Sequence, residues 1–151
     1  MFGIIPASPR STYGKGPACR TPTRTNPTPM KFTRELPSSL NLIRSYESDG
    51  IRIGERWLRA GFLVSANELI ADWPVSSVSA LRPEHFLAAF AWQPEIILLG
   101  TGTRQVFPAR DTHTAIVARG IGFEVMDTGA ACRTYNVLVS EQRRVAAGFI
   151  F

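Results

Sequence analysis

A short apolar run at residues 95–99 and two further strand-like stretches, at 123–126 and 145–151, alternate with two stretches of helical length. No other feature restricts the fold so strongly. A short continuous apolar run bounded by turn residues is the mark of a strand covered on both faces. The first intervening stretch, 108–119, starts at a proline and closes on Gly120-Ile121-Gly122, where glycine supplies a left-handed helix cap. The second starts at Asp127 or Thr128, both able to cap a helix, and carries Ala131, Tyr135 and Leu138 at i, i+4 and i+7. Strand–helix–strand–helix–strand predicts an α/β domain with a mainly parallel central sheet and helices packed on it.

The residues before this half read differently. Asp49-Gly50 is a hairpin signal, flanked by Ile43 and Tyr46 on one side and Ile51 and Ile53 on the other. A second reversal within 55–61 precedes Phe62-Leu63-Val64, and Asp72-Trp73-Pro74 ends the β region because proline cannot donate to a ladder. The expectation is an antiparallel β section ahead of the parallel sheet. Pro83 then opens a helix that places Phe86, Leu87, Phe90 and Ala91 on one face.

Residues 1–29 hold six of the eleven prolines, no acid, and Arg10, Lys15, Arg20 and Arg24. Those four cations account for +4 of the net +5, so residues 30–151 carry a net +1 and offer little for counterion release from nucleic acid. The composition of 1–29 predicts a disordered tail. It lacks the apolar core of a secretory signal, and its prolines oppose the amphipathic helix of a transit peptide. An extension upstream of a natural start at Met30 is the preferred reading, with residues 30–151 as a single domain. Two cysteines, Cys19 and Cys132, make no disulfide framework and point to a reducing compartment. The apolar stretches at 86–92 and 96–99 are too short to span a bilayer.

The segments PEIILLGTG (94–102), GIGFEVMDTGAACRTYNVLVSEQRRVAAGFI (120–150) and DWPV (72–75) resemble the Mth-domain family. The most specific part is Thr128, Ala131, Cys132, Thr134, Tyr135, Asn136, Leu138 and Glu141, similar to a T-x-x-A-C-x-T-[YF]-N-x-L-x-x-E pattern. The resemblance implies a three-layer α/β domain with a mixed central sheet over residues 30–151. It implies no established enzymatic reaction, and it implies an accessory or assembly role with protein partners among the subunits of a respiratory membrane complex.

Within ILLGTGTRQVFP (97–108), Gly100-Thr101-Gly102 has two readings. A phosphate-gripping loop would use Asp127 as the ribose-binding acid, but the third fingerprint glycine is Gln105, and Val106-Phe107-Pro108 delay the helix. The alternative is a tight turn, open to an anion or small ligand only incidentally. Cys132, near a helix start and beside Arg133, is either an activated thiolate or a buried small hydrophobe, and packing is expected to win. Asn136 sits mid-helix, where asparagine is unfavourable, and is expected to brace the backbone near Gly100–Gly102 or point into a pocket there. Glu141 is expected to pair with Arg143 or Arg144 at the surface. His85 and His113 have no metal-ligand spacing, and no G-x-S-x-G elbow exists.

The sequence therefore predicts a small, soluble, cytoplasmic, non-catalytic protein (mitochondrial in a eukaryote), with no cofactor, metal, nucleic-acid partner or membrane insertion. The alternative is a small-ligand binder or thiol-dependent enzyme. Its crevice would lie at the carboxyl ends of the parallel strands. The candidate ligand-binding residues are Gly100, Thr101, Gly102, Asp127, Thr128, Cys132 and Asn136.

Overall fold

A computed structural model describes Gly3 and residues 37–151. The readings of 1–29 as a tail, of Met30 as a start and of Cys19 as unpaired fall outside the described residues. The Asp49-Gly50 turn folds β1 (Ile43–Glu47) onto β2 (Gly50–Ile53), with Tyr46 opposite Ile51 and Glu47 opposite Gly50. A second turn at Gly54, whose φ of +57° suits glycine, leads into β3 (Arg56–Leu58). The single reversal expected within 55–61 is thus a tight turn and a later bend, with a strand between. Three residues with one buried side chain give no alternation long enough to be read.

The chain then enters the central sheet. β4 (Phe62–Ser65) and β5 (Leu69–Ile70) pair antiparallel, and β6 (Ile96–Gly100), β7 (Gly122–Met126) and β8 (Val145–Phe149) run parallel to one another. The order is β5-β4-β8-β6-β7, with β4 antiparallel to β8. This is the mixed α/β sheet with an antiparallel N-terminal section that the sequence predicts.

The period-two alternation of the strands separates two cores. Phe62, Val64, Leu98, Ala147 and Phe149 pack with Ile43, Ile51 and Ile53 of the small sheet and with Ala131, Tyr135 and Leu138 of α3 (Thr128–Ser140). Leu63, Ile97, Leu99 and Ala146 face the other way, onto Trp73, Phe86, Ala89 and Ile116. Ile116 belongs to α2 (Arg110–Val117), which Gly120 closes at φ +74°, and Ala89 to α1 (Leu87–Ala91). Ile97, Leu98 and Leu99 are fully inaccessible, and each such side chain contributes about 1.5–3 kcal/mol on burial.

One helical face differs from expectation. Residues Pro83–Phe86 form a 3₁₀ turn before α1, so the inward positions are Phe86 and Ala89, three apart. Leu87, expected on the buried face, is 59% exposed.

Candidate functional site

The Gly-Thr-Gly turn is built as a clamp. At Gly100 a Cβ would stand 2.6 Å from Cδ1 of Phe149, whose ring is stacked on Phe62 at 5.0 Å and cannot give way. Gly102 answers a different need, a φ of +86°. The Thr101 N–H donates to the Met126 carbonyl at 3.0 Å. The Thr101 hydroxyl donates to the Arg104 carbonyl at 2.6 Å and accepts from the Val106 N–H at 3.0 Å. Gly102 N–H donates to Thr128 Oγ1 at 2.9 Å, and Thr128 N–H donates back to the Gly102 carbonyl at 2.8 Å. A phosphate loop aims its amides at the ligand. Here the amides of Thr101 and Gly102 tie the end of β6 to the junction of β7 and α3.

The helix motif is engaged in the same manner. Asp127 caps α3, its Oδ1 accepting from the Ala130 N–H at 2.9 Å. Cys132 is buried, and loss of water around the thiolate pushes its pKa up to about 12, against the opposing pull of Arg133. Burial likewise raises Tyr135, whose hydroxyl donates to the Asn41 carbonyl at 2.8 Å. Asn136 does brace backbone, but not at Gly100–Gly102. Its Oδ1 accepts from the Ile43 N–H at 3.0 Å and its Nδ2 donates to the Ile43 carbonyl at 2.8 Å, fixing β1 to α3. The small sheet covers this side of the helix and brings the partner from 93 residues away.

A cleft of about 360 Å³ lies at the carboxyl ends of the parallel strands, walled by Tyr46, Gly102, Asp127, Thr128, Arg133 and Phe151. Three sequence candidates, Gly102, Asp127 and Thr128, meet there. Gly100, Thr101, Cys132 and Asn136 do not line it. Sequence reasoning missed Tyr46, Arg133 and Phe151. The Tyr46 hydroxyl accepts from Arg133 Nη1 at 2.7 Å, and its ring lies over Gly129, where a Cβ would come within 3.0 Å of the hydroxyl. Gly129, in the first turn of a well-capped helix, was the available signal, because no turn conformation requires a glycine there. The cleft offers a cation, the carboxylates of Glu47 and Asp127, the hydroxyls of Ser48, Thr103 and Thr128, and an aromatic wall.

A larger cleft, about 580 Å³, opens at the amino ends of the strands between Leu40, Trp92, Pro94 and Val145. Arg143 and Arg144 reach Glu95 at 3.4 and 3.7 Å, rather than Glu141 as expected. Gln142 at φ +61° turns the chain away from Glu141 and toward the start of β6. These exposed pairs contribute little. His85 Nδ1 accepts from the Arg82 N–H at 3.0 Å, and the His113 ring lies 5.6 Å from that of Phe123. Among the described residues, no group of three His, Cys, Asp or Glu side chains is placed to hold a metal, and no helix is long and apolar enough to cross a membrane.

Known proteins share this architecture. An NMR structure from Xanthomonas campestris superposes with a TM-score of 0.67 at 45% identity, covering 72% of this chain and 82% of that one. The zebrafish NADH dehydrogenase (ubiquinone) 1 alpha subcomplex assembly factor 3 is 31% identical over 125 residues, 82% of this chain and 71% of its own length. The 13 kDa major membrane protein of Francisella tularensis subsp. holarctica is 35% identical over 72 residues, 48% of this chain, and the match spans only 58% of that relative. Residues 43–150, from the start of β1 to just past β8, match the family described as protein of unknown function (DUF498/DUF598). The sheet order, the α3 motif and these likenesses agree, and the chain belongs to the DUF498/DUF598 family, whose members include Mth938-like domains.

Proposed function

We propose that the protein is a non-catalytic accessory or assembly factor for a respiratory membrane complex, acting through protein contact. The observation that carries this reading is the 31% identity with assembly factor 3 across 82% of the chain. The chemistry of the candidate residues is consistent with it: the Cys132 thiol is buried and the Asn136 amide is bonded to Ile43, so neither is free to act on a substrate. In this reading residues 30–151 carry the function as one domain, in the cytoplasm or, in a eukaryote, the mitochondrion. The membrane is reached through the partner. Affinity purification of the tagged full chain from its own cells should recover subunits of NADH dehydrogenase, and loss of the gene should lower the assembled complex on native gels. An unchanged complex in the deletion strain, with no subunit recovered, would refute the proposal.

A second reading is favoured by the cleft at the carboxyl ends of β6 and β7, the position where α/β sheets hold ligands. There a small molecule would meet Arg133, Thr128 and the Tyr46 ring. A thiol-dependent enzyme has less support, since Cys132 is outside the cleft wall. Native mass spectrometry of the gently purified protein tests this reading: a bound small molecule lost on Arg133→Ala would favour it over the accessory role.

A further inference from the structure

Among the described residues β7 forms one edge of the central sheet, and the direction of its backbone groups is fixed by two hydrogen bonds. Gly122 N–H donates to the Glu95 carbonyl and the Met126 carbonyl accepts from Thr101 N–H, so the even-numbered residues face β6. Phe123 and Val125 therefore direct their N–H and C=O groups outward. Among the described residues only one of these four groups has a partner: the Val125 carbonyl accepts from Gln105 Nε2 at 2.7 Å. A side-chain amide stands where the amide of a neighbouring strand would stand. Natural edges are blunted by charged side chains (lysine above all), proline, bulges or very short strands. The opposite edge, β5, is two residues long, whereas β7 has five, GFEVM, with no lysine or proline and Glu124 as its one charge.

The loop that supplies Gln105 is exposed from Thr103 to Phe107. Val106 is 47% and Phe107 69% exposed, an apolar pair beside the edge. Arg104 and Arg110 are exposed and are in no ion pair among the described residues, whereas the Arg119 guanidinium stacks on the Phe90 ring at 4.2 Å.

We infer that the outer edge of β7, with the 103–107 loop beside it, receives an extended acidic segment of a partner protein as an added strand. The inference rests on the protein-contact reading above and gives it a surface. Only an extended backbone satisfies outward N–H and C=O groups in register, as in strand-addition recognition. Arg104 and Arg110 select acidic side chains on that segment, and Val106 and Phe107 seat an apolar one. In the free protein Gln105 holds the Val125 carbonyl, and it swings away when the segment enters.

The test uses the full chain with an alternating Glu-Val octapeptide joined to its C-terminus by a flexible Gly/Ser linker, which raises the local peptide concentration to the millimolar range. Residue-resolved hydrogen exchange is the readout. In the unfused protein the amides of Phe123 and Val125 should exchange fast and that of Glu124 slowly. The fused acidic peptide should slow Phe123 and Val125 by about tenfold or more. A Lys-Val octapeptide, or the acidic one on an Arg104→Glu/Arg110→Glu chain, should not. No slowing, or equal slowing by the Lys-Val peptide, overturns the inference. So does binding to anionic phospholipid vesicles that the arginine pair controls without any protection of β7, because it assigns the surface to a membrane. Recovery of NADH dehydrogenase subunits undiminished by the arginine substitutions would overturn the docking edge and leave the accessory role standing. Protection by the acidic peptide with no subunit recovered would do the reverse.

Discussion

Helix α3, which starts at the end of the sheet where the 103–107 loop lies, and that loop are built on opposite terms. In α3, Asp127, Thr128, Tyr135 and Asn136 each bond to backbone, and Cys132 is buried. In the loop, five consecutive side chains are exposed and two of them are large and apolar. The run that carries the family resemblance is thus explained by architecture: it locks α3 to β1, to β6 and to the segment before β1. The loop is held by Gln105 on the Val125 carbonyl and by its backbone on the Thr101 hydroxyl, while its Val106 and Phe107 side chains are left as surface. A specific sequence pattern does not by itself mark a site of chemistry.

The contrast breaks most readily at Asn136. Asn136→Leu keeps the volume but leaves both the Ile43 N–H and carbonyl without a partner, and should cost about 2–4 kcal/mol in denaturant unfolding. A loss below 1 kcal/mol would mean that water replaces the bond and that α3 is not locked as described. Gly100→Ala comes next, because its methyl meets the stacked Phe149 ring; overpacking of this kind costs about 1–3 kcal/mol. Gly102→Ala has open space around it and pays only for positive φ, about 1 kcal/mol. If the two glycine substitutions cost the same, the close-packing account of Gly100 fails.

Cys132 sharpens the comparison through pH. Its folded pKa, about 12, lies above the ordinary 9.0, so the unfolded chain ionises first as pH rises. The contribution of the neutral thiol is fully present below about pH 9 and is lost as pH climbs toward 12. Tyr135 acts in the same direction. Stability should fall across this window, and less steeply in Cys132→Ala. The native thiol should resist labelling at neutral pH, and rapid labelling would contradict its burial. The smallest effect belongs to the loop. Phe107→Ser or Arg104→Glu should move unfolding by no more than about 0.5 kcal/mol. A larger change would show that the loop supports the fold after all.

The parallel half of the fold was legible because β6 and β8 are continuous apolar runs, β7 alternates buried with exposed residues, and the helices carry their own stop and start signals, Gly120 and Asp127. Local chemistry sufficed. The small sheet was legible only as far as its first hairpin, since β3 has one buried residue. Leu87 departs from the helical spacing because a 3₁₀ turn shifts the inward positions to Phe86 and Ala89. The candidate site was half legible. Gly102, Asp127 and Thr128 are brought together by the crossover that their own segments encode. Tyr46 comes from a different sheet, and nothing local to its hairpin says where that sheet docks. Asn136 illustrates the same limit: a mid-helix amide announces that it needs a partner, while the identity of Ile43 depends on tertiary packing.

The place of β8 in the sheet has a consequence for how the protein is made. It is the last strand in chain order, yet it stands between β4 and β6, pairing with both. During translation, at about 5–20 residues per second, β4 and β6 leave the ribosome well before the strand that joins them. Until then each presents an unfilled edge toward the other, and neither core can close. The domain cannot mature from its front end backward; it must wait for residues 145–149 and then condense at once, and a nascent chain stalled short of that point is a substrate for chaperones or for aggregation.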